Sequence, residues 1–265
     1  MSDFATFLAL TTVMGLSIFL SLPIILAKRM QSRTILFLNA VAVGILIFLL
    51  ADIFGDVATV IAGSASYLTN PYLDALFLAG VAGIFATLYF IDQRRPPAET
   101  SPGTGGVSAS VDPSPTRLAL IIALGIGLQN LTEGLLFGNS WTLGEVGLIG
   151  VIFFGFLLQN ITEGFPIVSP LLGRDQRDLL LVAGFFLIGG LPTIVGGVIG
   201  YFYVSTTLVV LFDAMAIGAI LYVILPMLRA LLRAEPTRLE SYRRYRLVYF
   251  GLLAGFVLGF VVNAF

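Results

Sequence analysis

Neither cysteine nor histidine occurs anywhere in this chain of 265 residues. The first absence excludes disulfides, thiolate metal sites and thiol chemistry, and it leaves the redox compartment unread. The second removes imidazole as base, proton shuttle or metal ligand. Charge is scarce too: Asp, Glu, Lys and Arg make up 11% of the residues, where a soluble domain carries about a quarter. So few charges cannot cover a water-facing surface. What remains is apolar, with 58% hydrophobic residues and a mean hydropathy of +1.01. Several runs reach the ~20 residues that a membrane-crossing helix needs. None shows the alternating segments of about 10 residues that a membrane barrel uses. The composition predicts an all-α, polytopic membrane protein. Met1-Ser2-Asp3 lacks the positive start of a cleaved signal peptide, so the first apolar run is expected to be retained as a span.

Eight spans are the simplest division of the hydrophobicity: 4–27, 34–54, 72–91, 118–139, 145–170, 179–202, 205–228 and 247–264. Pro23, Pro166, Pro192 and Pro226 interrupt some of them, which a bundle tolerates where neighbours satisfy the freed backbone groups. The charges support this count. Lys28, Arg29 and Arg33 fall between spans 1 and 2, and Arg94, Arg95 and Arg117 between spans 3 and 4. Arg174 and Arg177 follow span 5, and Arg229, Arg233, Arg238, Arg243, Arg244 and Arg246 separate spans 7 and 8. All 14 basic residues therefore fall on one side, which the positive-inside rule makes cytoplasmic, with both termini outside. Residues 1–91 carry the first three spans and 118–265 the last five. Between them, 92–117 is rich in Pro, Gly, Ser and Thr and reads as a flexible cytoplasmic linker. The basic stretch 229–246 reads as a topology signal near the inner leaflet, attracted to anionic lipid.

One feature repeats. Gln129-Asn130-Leu131-Thr132-Glu133-Gly134 in span 4 returns as Gln159-Asn160-Ile161-Thr162-Glu163-Gly164 in span 5. Within each motif, Gln and Glu stand at i and i+4 on one helix face, and Asn lies about 100° round. If the hairpin apex lies near Glu145-Val146-Gly147, each motif is about 20 Å of helix from it, so the two meet at one depth. Gly125, Gly127, Gly134, Gly155 and Gly164 are expected to let helices approach closely. An ionised Glu at mid-bilayer costs at least about 3 kcal/mol, and two facing each other repel or share a proton. No Lys, Arg or His is available at that depth. A bound cation is the natural partner, with the amide oxygens of Gln129, Asn130, Gln159 and Asn160 completing an oxygen-rich cage for a divalent ion. The plainer reading, polar residues joining helices by hydrogen bonds, explains the amides but not the paired glutamates.

This pair of motifs resembles the fourth and fifth transmembrane helices of the ZIP (Zrt/Irt-like) family of divalent metal transporters. That family has His-Asn-x-Pro-Glu-Gly in its fourth helix and a related version in its fifth. Gly190-Leu191-Pro192-Thr193-Ile194-Val195-Gly196-Gly197 in span 6 is similar to the family's Glu-Pro-Leu-Gly pattern, and Ala216–Val223 to its seventh helix. The resemblance implies an eight-helix bundle of ZIP type that moves Zn²⁺, Mn²⁺ or Fe²⁺ as substrate toward the cytoplasm, without a prosthetic group. It further implies that Gln129 stands at the metal-binding His, that Asn130, Glu133, Gln159, Asn160 and Glu163 are ligands, and that the two glutamates bridge adjacent metal positions. Thr132 and Thr162 replace the family's Pro, and Thr193 falls where many members have a Glu. Amide oxygen in place of imidazole shifts preference from Zn²⁺ toward harder ions such as Mn²⁺, or toward weaker, broader selection.

Other polar residues are placed as a transport path. Asp52 and Asp56 at the outer end of span 2 form an acidic mouth, with Asp74 nearby, or are ordinary solvated helix ends. Asp213, inside span 7, is a functional candidate because intramembrane acids are. Asn39 reads as a helix-packing contact, Trp141 and Tyr67 as markers of the outer interface, and Glu145 as solvated. The expected partners are divalent cations and the lipid bilayer of a plasma or inner membrane; a homodimer is left open, and nucleic acid is not expected. No enzyme activity is expected, since a metal-dependent hydrolase would need His ligands. A non-transporting metal-sensing relative and a carrier or channel for a small polar solute are the alternatives.

Overall fold

The computed structural model describes residues 4–23, 31–62, 70–93, 114–143, 146–172, 178–203, 205–232 and 237–263. Among them there is no strand. The helices are α1 (Phe4–Leu16, continuing as a 3₁₀ turn through Ser17–Ser21), α2 (Ser32–Ala62), α3 (Pro71–Gln93) and α4 (Pro115–Leu143). They continue with α5 (Val146–Val168, then a 3₁₀ turn over Ser169–Leu171), α6 (Leu179–Phe202), α7 (Thr206–Leu231) and α8 (Arg238–Asn263). Among the described residues, eight segments are long and apolar enough to cross a membrane, consistent with an integral multi-pass protein.

Local chemistry starts these helices. Asn70, Ser114, Asp178 and Ser205 each accept a hydrogen bond from a first-turn amide of α3, α4, α6 and α7, and Thr237 does the same for α8. Pro71 and Pro115 occupy the first helical position, where the missing N–H is harmless. Pro166, Pro192 and Pro226 lie inside α5, α6 and α7 without ending them. Three helices are markedly longer than hydropathy predicts, and of these α4 gains about a turn's worth of residues at each of its two ends. α2 runs on from 54 to Ala62, so Asp52 and Asp56 lie within it rather than at its end. α8 begins at Arg238, nine residues before the expected 247, so four of the six arginines of the basic stretch lie in its first turns.

Packing ignores chain order. α4 packs chiefly on α6, α2 on α8, and α3 on α7. α1 lies on α6 and α5, while α4 also reaches α7. Four of the five glycines expected at close approaches are there, but not across the α4–α5 hairpin. Gly127 and Gly134 bring α4 onto the backbone of α6, Gly125 faces Ala219 of α7, and Gly164 faces Ile18 and Ser21 of α1. Gly155 meets nothing within 4 Å. From the α6 side, Gly196 and Gly200 lie against the carbonyls of Leu131 and Leu135. Small residues on both helices thus make α4–α6 the tightest seam.

The described arginines gather at one end. Arg33 of α2 shares a cavity with Arg243 and Arg244 of α8, and Arg244 donates to the carbonyls of Ala230 and Leu231 at the close of α7. Pro115 and Leu118, which flank Arg117, line the adjoining cavity. The opposite end holds an aromatic cluster in which Phe7 stacks on Phe137 at 5.7 Å and meets Tyr201 at 5.0 Å. Trp141, near the C-terminal end of α4, is partly buried and packs in this cluster 5.6 Å from Phe7. Lys28, Arg29, Arg94, Arg95, Arg174, Arg177, Arg233, Tyr67, Glu145 and most of the linker lie outside the described residues.

Candidate cation site between the paired motifs

The antiparallel course of α4 and α5 brings the two motifs together. Because Gln and Glu are one turn apart on each helix, the four side chains form one cluster. Gln129 donates from Nε2 to Glu133 Oε1 at 3.1 Å, and Gln159 donates to Glu163 Oε1 at 3.2 Å. Gln159 also reaches across to Glu133 Oε1 at 2.7 Å. Glu133 retains 5% of its exposure and Glu163 none.

The asparagines, on the flank, have a second role. Asn130 donates from Nδ2 to Asn160 Oδ1 at 2.6 Å and to the Gly189 carbonyl of α6 at 2.9 Å. Asn160 donates to the Phe156 carbonyl at 3.1 Å. One amide thereby ties α4 to both α5 and α6. The threonines of the two motifs bond back to their own helices, Thr162 to the Gln159 carbonyl at 2.7 Å and Thr132 to that of Leu128 at 3.4 Å. Both helices continue unbroken through the motif.

Four buried oxygens of the cluster have no hydrogen-bond partner: Gln129 Oε1, Asn130 Oδ1, Glu133 Oε2 and Glu163 Oε2. Buried acceptors without a donor are rare because each forfeits its hydration. Two of these four carry carboxylate charge, which deepens that penalty. A cation satisfies such atoms together; a hydrogen-bond donor satisfies them one at a time. The amide nitrogens now face the carboxylates, and a half-turn of either Gln amide about its last bond would exchange N for O and add a further ligand. Among the described residues no three His, Cys, Asp or Glu side chains come close enough to share a metal. A metal held here therefore has two carboxylates and takes the rest of its shell from amide oxygens or water, a hard donor set.

The remaining acids form a graded series. Asp56 is exposed, Asp52 half-buried, and Asp213 only 3% exposed. Asp52 is near enough for its charge to be felt at Glu133, Glu163 and Asp213. Asp213 of α7 faces the Thr132 side chain, one residue from Glu133. The structure thus brings Asp52 and Asp213 toward the motif from α2 and α7, and the charge of the exposed Asp56 is felt at Glu133 and Asp213 as well. Thr193 of α6 is fully buried against Gly134 and Gly15, its hydroxyl without a partner.

Two contributors were missed by sequence reasoning. Ser17 of α1 donates to the Leu157 carbonyl of α5 at 3.1 Å, and Ser21 packs on Gly164. Their spacing of four in an apolar span was the available signal. The Gly189 carbonyl, a backbone group, had none.

No family model matches the chain, and no curated protein matches it.

Proposed function

We propose that this protein is a ZIP-like transporter of divalent metal cations of the Zn, Mn or Fe class, moving them toward the cytoplasm through the carboxylate–amide cluster of α4 and α5. One observation carries the reading. Two glutamates from adjacent helices converge in a buried site with four unpartnered oxygens and no basic side chain from either motif to neutralise them. Gln129, Asn130, Glu133, Gln159, Asn160 and Glu163 are the proposed ligands. Asp56, Asp52 and Asp213 supply a descending series of negative charge from the surface inward, which concentrates cations and lowers the cost of their dehydration. Thr193 borders the path on the α6 side.

Sidedness follows from the arginine end, which the positive-inside rule assigns to the cytoplasm of a plasma or inner membrane. Both termini then lie outside, and Asp56, far along α2 from Arg33, opens toward the exterior. Transport is driven by gradients, through rocking of one group of helices against another around the site. Inward direction rests on the family resemblance.

A second reading is favoured by the amides. Glu133 already accepts N–H bonds from both Gln129 and Gln159, and Glu163 accepts one from Gln159, so the cluster holds α4 to α5 without a cation, as it would in a non-transporting relative. Uptake by reconstituted vesicles separates the two. Wild-type protein is expected to accumulate Mn²⁺, Fe²⁺ or Zn²⁺, and Glu133→Ala and Glu163→Ala each to lose most of that rate. Equal uptake by wild type and both variants refutes the site.

A further inference from the structure

We propose that the arginine end carries a binding site for one anionic phospholipid, its headgroup between the first turns of α2 and α8 and one acyl chain in a slot beneath. Two adjoining cavities support this. The first, about 300 Å³, is lined by Ser32, Arg33, Glu240, Arg243 and Arg244, with Leu36 and Leu247 at its floor. The second, about 340 Å³, is lined mainly by apolar residues, among them Ile35, Leu118, Met227 and Leu231. Ser32, Leu36 and Arg244 line both, so the two lie side by side. Each volume lies in the range of ligand pockets.

The chemistry of the upper cavity selects an anion. Three guanidinium groups face one carboxylate, and that carboxylate is engaged: Glu240 Oε2 accepts the Thr237 hydroxyl at 2.6 Å. Two helix N-termini, those of α2 and α8, add their partial positive charge. Arg244 is held in place by its bonds to the Leu231 and Ala230 carbonyls at 2.9 and 2.8 Å, which leaves Arg33 and Arg243, both exposed, to close on a phosphate. The chemistry of the lower cavity selects hydrocarbon. A soluble anion leaves that slot unfilled, and an acidic peptide does not match its apolar walls. Asn39, six residues or about 9 Å along α2 from Arg33, places one amide where the ester groups of a lipid would lie. The slot is walled by α4 and the end of α5 on one side and by α2, α7 and α8 on the other, so its occupant touches both groups of helices.

The test is retention of lipid by the full-length purified protein, read by native mass spectrometry and by the thermal midpoint in detergent. Phosphatidylglycerol, phosphatidylcholine and soluble glycerol phosphate are the probes. Wild type is expected to retain one phosphatidylglycerol in preference to phosphatidylcholine and to gain no stability from glycerol phosphate. The Arg33→Gln/Arg243→Gln variant, which leaves Arg244 bonded to the end of α7, should bind phosphatidylglycerol about thirtyfold more weakly, since each arginine near an anionic headgroup contributes ~1 kcal/mol. Leu118→Trp, which fills the slot and leaves every arginine in place, should lose retention as well. Equal retention by wild type and both variants overturns the proposal. Stabilisation by glycerol phosphate as large as by phosphatidylglycerol also overturns it, because the site is then one for a free anion.

Discussion

Replacing Gly134 by Ala tests the α4–α6 seam on which the glutamate site is mounted. A methyl group at Gly134 would stand 2.7 Å from Gly197 N and 3.0 Å from the Thr193 carbonyl carbon, with the Thr193 carbonyl oxygen closer still. Ordinary contacts between such atoms begin near 3.5 Å, so the helices must part by roughly 1 Å. All three neighbours are backbone atoms and cannot rotate away. Overpacking of this kind costs about 1–3 kcal/mol, which corresponds to a fall of roughly 4–8 °C in thermal midpoint at the centre of that range for a chain of this size. Gly155→Ala is the control. It adds the same methyl to the neighbouring motif helix, where nothing lies within 4 Å, and Ala is the better helix former by about 1 kcal/mol. Its midpoint should stay the same or rise slightly. Thermal unfolding of both variants in one detergent measures the contrast. A Gly155→Ala protein destabilised as much as Gly134→Ala would refute the reasoning, because the effect would then belong to glycine in the helix rather than to the seam.

Two other substitutions separate structure from chemistry inside the motif. Asn130→Ala removes the bonds to Asn160 and to the Gly189 carbonyl, and at about 0.6 kcal/mol for an average interhelical hydrogen bond in a membrane it should lower stability by about 1 kcal/mol or somewhat more, measured by the same unfolding assay. Gln129→His should raise Zn²⁺ affinity relative to Mn²⁺ because it supplies a nitrogen ligand; unchanged relative affinities in competition uptake would sink the idea that these amides set selectivity.

The span count was legible because hydropathy reports what a bilayer solvates. Helix length was less so: α2 continues through Asp52 and Asp56, and α8 begins among arginines, because a backbone stays helical past the edge of the apolar run when its polar side chains can reach water or each other. The meeting of the motifs followed from a four-residue period and a short hairpin. The partner of α4 did not. Gly127 and Gly134 announce a close contact but carry nothing that says with whom, and the answer, α6, depends on Gly196 and Gly200 some sixty residues away. Asn130 shows the same limit. Its residue type suits either a metal ligand or a tie between helices, and only the position of the Gly189 carbonyl reveals the tie.

The central claim is that Glu133 and Glu163 jointly hold a divalent cation, and Mn²⁺ binding to purified protein followed by electron paramagnetic resonance tests it most directly. The free-ion signal should fall saturably on addition of wild-type protein and remain unchanged with Glu133→Gln/Glu163→Gln, which keeps the shape of the cluster and removes both charges. Saturable binding of the same strength by the double variant, or none by the wild type, would contradict the account.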